Sequence, residues 1–199
     1  WDVAYLPIDP RDINRCYEAV VRINSQSGKG GVALVLERDF GIKLPKWLHI
    51  RLAKVIQQAA EESGQEISSE NIHALYKEHF VKVDCQWLLT DYNLKHRAKQ
   101  VEAEFYINDL AVACRGAGPL EALIQGLNKY FACSIEITQF DQHAIESGAD
   151  SKAQACIELA VNGQHYSAVA IAEDTIAAAV QSVLTAFSRS FPERHRGAA

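Results

Sequence analysis

At 199 residues, 48% hydrophobic and 23% charged, the chain is long and apolar enough to build one large or two small cores, which excludes a disordered polypeptide. A formal net charge of −5 argues against nucleic acid or an anionic membrane surface as the default partner, and no apolar run approaches the length of a membrane span. The five cysteines are odd in number, widely spaced and free of any CxxC, so they read as reduced core thiols of a cytoplasmic protein.

The seven histidines form no HxH or HExxH pair, and no metal site is expected. There is no signal-peptide pattern at the start. The sequence lacks methionine and opens directly on WDVAYLPIDP, which reads as a fragment of a longer polypeptide.

Residues 1–12 hold Pro7 and Pro10 around Asp9 and predict an extended, turn-rich entry. The following NSQSGKGGVALVLERDFG, 24–41, has glycines beside Lys29 but not the spacing of a phosphate-binding loop; it predicts a turn leading into a short helix over 31–38. Pro45 opens the clearest helix, with Leu48, Leu52, Val55, Ile56 and Ala59 on one stripe and Gly64 as its stop. Ser68 or Ser69 caps a shorter helix bearing Ile72, Leu75 and Tyr76.

Beyond residue 80 the periodicity changes from helical to alternating, so 1–80 is expected to be a mainly helical subdomain, 81–190 a β-rich domain and 191–199 a tail. Strands are predicted over VDCQWLLTDY (83–92), KQVEAEFYI (99–107), LAVACR (110–115) and CSIEITQF (133–140). The stretch DQHAIESGADSKAQA, 141–155, reads as an insertion rich in small residues. An internal repeat organises this half. Two alternating strands around Asn108-Asp109, and two more around Asn162-Gly163, are each followed by an amphipathic helix. The expected fold is therefore α+β: a helical N-terminal subdomain, then a pseudo-duplicated strand-strand-helix domain.

In the first unit the strands run into RGAGPLEALIQGL, 115–127. Gly116 and Gly118 permit a tight turn, Pro119 suits the first helical position, and Leu120, Leu123, Ile124 and Leu127 form an apolar face. Backbone N–H groups at such a helix start suit a small anion such as a carboxylate.

Four separated motifs, YLPIDP, VRINSQSGKGGVALVLERDFGIKLP, RGAGP and QHAIESGADSKAQA, together resemble the C-terminal part of the 2-isopropylmalate synthases, in order and over nearly the whole chain. The resemblance implies a linker subdomain and a dimeric regulatory domain that binds leucine for feedback inhibition. It also implies a catalytic barrel outside these residues that condenses acetyl-CoA with 2-oxoisovalerate, using a divalent metal. No cofactor is expected in the fragment itself, which alone is expected to be inactive. N–H groups around Gly118 to Leu120 suit the carboxylate of such an effector, and backbone carbonyls in 116–118, Gly116 among them, or in 144–150 would accept from its ammonium. By resemblance, Ile137, Phe140, Ala144 and Ile145 would line its side-chain pocket, and Ser151 and Ala153 would close it.

Tyr5 would reach toward the partner subunit's active site in a supporting role. Two positions depart from the family pattern: Ala117 stands where an Asn is usual, and Phe140 where a Tyr is frequent. A citramalate synthase regulatory domain sensing isoleucine, and a dimerisation domain without an effector, are the alternative readings.

Overall fold

The computed structural model of the protein describes residues 29–64, 66–81, 87–97, 100–108, 110–145 and 151–191. Tyr5, the opening motif, Cys16, Cys85 and the final 192–199 lie outside the described residues. Three helices come first: α1 (Lys29–Phe40), α2 (Lys46–Ser63) and α3 (Ser69–Tyr76), the last running into a π-helical turn, Lys77–Val81. The first is longer at both ends than the 31–38 expected.

Pro45 is the N-cap of α2 and not its first helical residue, and Gly64 ends the helix in the left-handed conformation, at φ 64°. Ser68 caps α3, its hydroxyl accepting from the Asn71 N–H at 3.3 Å. Leu48, Leu52 and Ile56 of α2 are buried against Val32, Val35 and Leu36 of α1 and Ile72, Tyr76 and Phe80 further on.

The remainder is two antiparallel three-stranded sheets, each followed by a helix. The first unit is β1 (Leu89–Arg97), β2 (Gln100–Ile107), β3 (Leu110–Gly116) and α4 (Pro119–Phe131); the second is β4 (Ile135–Ala144), β5 (Ala153–Val161), β6 (Gln164–Ala172) and α5 (Thr175–Ser188). The repeat is thus one strand larger than the hairpin-plus-helix pattern that the turns advertise. Its symmetry extends to single atoms. Asn108 and Asn162 both sit at positive φ, 53° and 50°, where asparagine tolerates the left-handed turn of a tight hairpin. The Asn108 amide oxygen accepts from the Leu88 N–H at 2.9 Å, and that of Asn162 from the Ser134 N–H at 3.0 Å. Each asparagine thereby pins the residue just before its own unit's first strand.

Two strand expectations are corrected. The first strand, expected over 83–92, is Leu89–Arg97 among the described residues, 83–86 lying outside them, with a register irregularity between Leu89 and Asp91 that puts Leu89, Tyr92 and Leu94 against the core. The stretch 141–155 is not all loop: Asp141 pairs with Cys156 and Ala144 with Ala153, so both of its ends, 141–144 and 153–155, extend the β4–β5 ladder. Its small residues disguised the strands, because alanine carries little of the β-branched signal by which strands are recognised.

The core follows from the alternation. Val101, Ala103, Phe105 and Ile107 on one face of β2 meet Leu123 and Leu127 of α4, and Ile157, Leu159 and Val161 of β5 meet Val180, Leu184 and Phe187 of α5 in the same cluster. α5 lies close on its sheet because Ala178, Ala179 and Ala186 present only methyl groups. β5 is buried along both faces: its intervening Cys156, with Val169 of β6, belongs to the core of the helical subdomain. The opposite face of the first sheet is polar instead, with Glu102 bonded to Arg97 at 3.3 Å and Arg115 at 3.2 Å.

One glycine is fixed by proximity. A Cβ on Gly116 would lie 2.4 Å from the backbone nitrogen of Ala122, whereas Gly118 is extended (φ −150°) with open space around it. Gly116→Ala is therefore expected to lose about 2 kcal/mol or more of unfolding free energy in urea titrations, and Gly118→Ala, an N-cap change without a clash, to lose about 1 kcal/mol or less.

Candidate functional site

The two helix starts diverge in chemistry although the units around them repeat. Asp174 caps α5, its carboxylate accepting from the N–H groups of Ile176 and Ala177, each at 2.8 Å, and from the Tyr92 hydroxyl at 3.0 Å. That carboxylate neutralises the positive end of the helix dipole. At the matching position of α4 stands Gly118, with no side chain to cap the helix. The Ala117 N–H in the preceding turn donates to Glu121 Oε2 at 2.9 Å, and Ala122 N–H to the Gly118 carbonyl at 2.9 Å. Glu121 was not singled out from sequence; its place three residues after the N-cap is the capping-box position, and that spacing could have found it.

The candidate residues gather around β5. Leu120, in the first turn of α4, packs on Ala153 and Ala155 together with Ala178 and Ala179 at the start of α5. Ala153 pairs with Ala144, and the Ile145 N–H donates to the Lys152 carbonyl at 2.9 Å, bringing the hairpin end to the same place. Ser151 is half-buried beside it. Phe140 and Ile137 pair with Ile157 and Leu159 on the same side of the sheet. That two residues three apart share a face is the work of a β-bulge at Thr138, which inserts one residue between the pairs Ile137–Leu159 and Gln139–Glu158. β4 is an edge strand, and Ile137, Phe140 and Ile145 remain 37%, 40% and 42% exposed. Gly116 stands apart, in a cavity of about 460 Å³ on the solvent side of the turn, lined also by Gln100, Arg115, Glu121 and Gln125.

The other face of β5 carries a polar cluster that sequence reading missed, because its members come from four elements. The Glu158 carboxylate is 6% exposed and accepts from Arg51 Nε of α2 at 2.7 Å, the Thr138 hydroxyl at 3.1 Å and the Ser167 hydroxyl at 3.2 Å, with His165 Nδ1 at 3.2 Å. Burial pushes its pKa up, but the hydrogen bonds from Arg51 and Thr138, the Arg51 charge and the Ser167 hydroxyl outweigh burial and hold it below its ordinary value. Four residues earlier on the same face of β5, Gln154 donates to the Lys43 carbonyl at 2.9 Å. Between them, burial drives the Cys156 thiol up to about 12, so it packs as an apolar group. Among the described residues no group of three His, Cys, Asp or Glu side chains could hold a metal, and no helix is long and apolar enough to cross a membrane.

Two strand-strand-strand-helix units sharing one core, the first with its helix start left uncapped, define a duplicated α+β domain carried behind a helical subdomain. The chain belongs to the LeuA allosteric (dimerisation) domain family, whose model matches residues 66–191; residues 1–37 match the family described as alpha-isopropylmalate synthase, post-catalytic domain-like. It is 45% identical over 194 residues to a 2-isopropylmalate synthase of Alcanivorax borkumensis, covering 95% of this chain and 35% of the relative. It is 39% identical over 204 residues to one of Pseudomonas syringae pv. syringae, covering 100% of this chain and 36% of the relative. A third such synthase, of Brucella melitensis, is 32% identical over 197 residues, with 95% and 36% covered. The chain thus spans about a third of the length of the curated relatives it matches.

Because the folded-state pKa of Glu158 is depressed, its contribution to stability is full above the ordinary glutamate value and is lost as pH falls through the folded value. In urea unfolding across a pH series, the protein should exceed its Glu158→Gln variant in stability at neutral pH, and the gap should close below about pH 4.

Proposed function

We propose that this chain is the linker and regulatory portion of a 2-isopropylmalate synthase, assembled as a homodimer and binding leucine as a feedback effector. The observation that carries the reading is the divergence of the two helix starts: α5 is capped by its own Asp174 carboxylate, while α4 begins at Gly118 with no side-chain cap. An amino-acid carboxylate at α4 would occupy the place that Asp174 fills at α5, and the open space around Gly118 gives it room. Backbone carbonyls of the turn 116–118 or of the hairpin end 144–150 would accept from the ammonium group.

A branched aliphatic side chain would lie along Ile137, Phe140, Ala144 and Ile145, the exposed apolar edge of β4, with Ser151 and Ala153 closing its end. The same exposed edge supports pairing with a second copy, since apolar groups left on an edge strand gain by being covered. Glu121 tunes the site: its carboxylate holds the Ala117 N–H, disfavours a second negative charge nearby, and would have to shift or be screened as the effector binds.

The reaction regulated would be the condensation of acetyl-CoA with 2-oxoisovalerate in leucine biosynthesis, carried out with a divalent metal by a barrel domain. Tyr5 would serve it from the partner subunit. Leucine would act by binding two arrangements of the chain with different affinity, because an effector shifts an equilibrium only by that difference.

Calorimetric titration of the chain with leucine, isoleucine and valine tests the proposal, with the oligomeric state measured in the same buffer. Saturable binding that prefers leucine is expected, weakened at least about tenfold by Gly118→Val, which fills the space at the helix start, and by Phe140→Asp, which buries a charge against the ligand. A folded dimer that binds none of the three amino acids would overturn the leucine assignment and leave a dimerisation domain. A preference for isoleucine would transfer it to the citramalate synthase reading.

A further inference from the structure

β5 has two faces, and the two are occupied by different parts of the protein. Ala153, Ala155 and Ile157 face α5 and the start of α4, while Gln154, Cys156 and Glu158, each one residue away, face the helical subdomain. The polar contacts on that second face join residues more than a hundred positions apart in sequence, Arg51 with Glu158 and Lys43 with Gln154. Glu158 also gathers the two neighbouring strands, through Thr138 of β4 and Ser167 of β6. Thr138 is the bulge residue between Ile137 and Phe140, and its hydroxyl lies 3.1 Å from both the Glu158 carboxylate and the Glu158 carbonyl, its one proton shared between them. The segment bearing the exposed apolar side chains and the anchor of α2 therefore meet at one side chain.

We infer that the Thr138 bulge and the Glu158 carboxylate form the mechanical link by which a ligand against the β4 edge is felt by α2 of the helical subdomain. This rests on the reading of β4 as part of the effector site. A ligand packed on Ile137 and Phe140 fixes the backbone on either side of the bulge. Thr138 cannot then move independently of Glu158, and Glu158, whose carboxylate is buried, holds the half-exposed Arg51 by a charge-assisted hydrogen bond at 2.7 Å. Hydrophobic contact alone, as at Cys156, would let α2 slide; the carboxylate fixes it by direction as well as distance. Thr138 and Glu158 act as positioning residues and touch no ligand.

Hydrogen exchange read by mass spectrometry on the whole chain, with and without leucine, tests the link in the parent protein and in Thr138→Val and Glu158→Gln. Thr138→Val is nearly isosteric at an exposed position and leaves the core intact. In the parent, leucine should slow exchange about threefold or more both at 137–145 and in α2. In both variants calorimetric leucine affinity should stay within about twofold of the parent while the response of α2 disappears and that at 137–145 persists. Leucine binding in the parent without any response in α2 would overturn the link, as would a response of α2 unchanged in both variants. Parallel loss of binding and of both responses would also overturn it, because it would mark these residues as part of the pocket. A parent that binds no leucine would instead overturn the effector reading, and the inference would fall with it.

Discussion

The molecule depends on one strand being dry on both sides. β5 carries a near-continuous run of buried residues from Ala153 to Leu159, which is uncommon for a strand of an antiparallel sheet, where one face is ordinarily wet. Such a strand must satisfy two neighbours at once. Toward α5 it offers methyl groups and large aliphatics, which the alanines of α5 approach closely. Toward α1–α3 it offers a thiol, an amide and a carboxylate, each of which finds a partner or an apolar bed. Because strand alternation is strict, a register slip of one residue would put Glu158 into the aliphatic core and Ile157 against Arg51. The polar members thus specify the pairing, and the apolar members supply most of the burial.

Duplication explains the frame, and divergence within it explains where chemistry can occur. The asparagine at each hairpin, the pinned residue before each first strand and the helix behind each sheet repeat between the units. What does not repeat is exposure and charge. The second sheet is covered on its far side by the helical subdomain, while the first turns a lattice of Glu102, Arg97 and Arg115 toward solvent. The second helix carries its own anion at its N-terminus and the first does not.

The elements that could be read from sequence were those whose signal is local. Helix stripes such as Leu48, Leu52 and Ile56, the Gly64 stop and the Asn-Gly hairpin all depend on a few neighbouring residues and emerge from their spacing. Three features were hidden. The strand segments at 141–144 and 153–155 are made of alanine and polar residues whose conformation is set by the partner strand and not by propensity. The bulge at Thr138 changes which face Phe140 occupies, and nothing local marks it. The Glu158 cluster joins residues from α2, β4, β5 and β6, so no window of sequence contains it. The candidate site residues at the α4 start came from turn and helix chemistry, but those in 137–153 rested on family resemblance, and for that reason: the common face of Ile137, Phe140 and Ala144 exists only once the bulge is in place.

The bulge also bears on how such a domain can change over time. A strand keeps its buried and exposed sets only while residues are counted in twos, and Thr138 is the odd residue that lets Ile137 and Phe140 fall on one side. Loss of the Thr138 codon would leave Ile137 and Phe140 two apart and still on one side, whereas loss of a codon elsewhere in β4, with the bulge kept, would carry the residues before it to the opposite face. Point substitution can adjust the size of a side chain on this edge by degrees. Insertion or deletion exchanges one whole set of side chains for another in a single step. Descendants of the same fold can therefore acquire a different surface on β4 abruptly, with the hairpins, the helices and the two-faced central strand all unchanged.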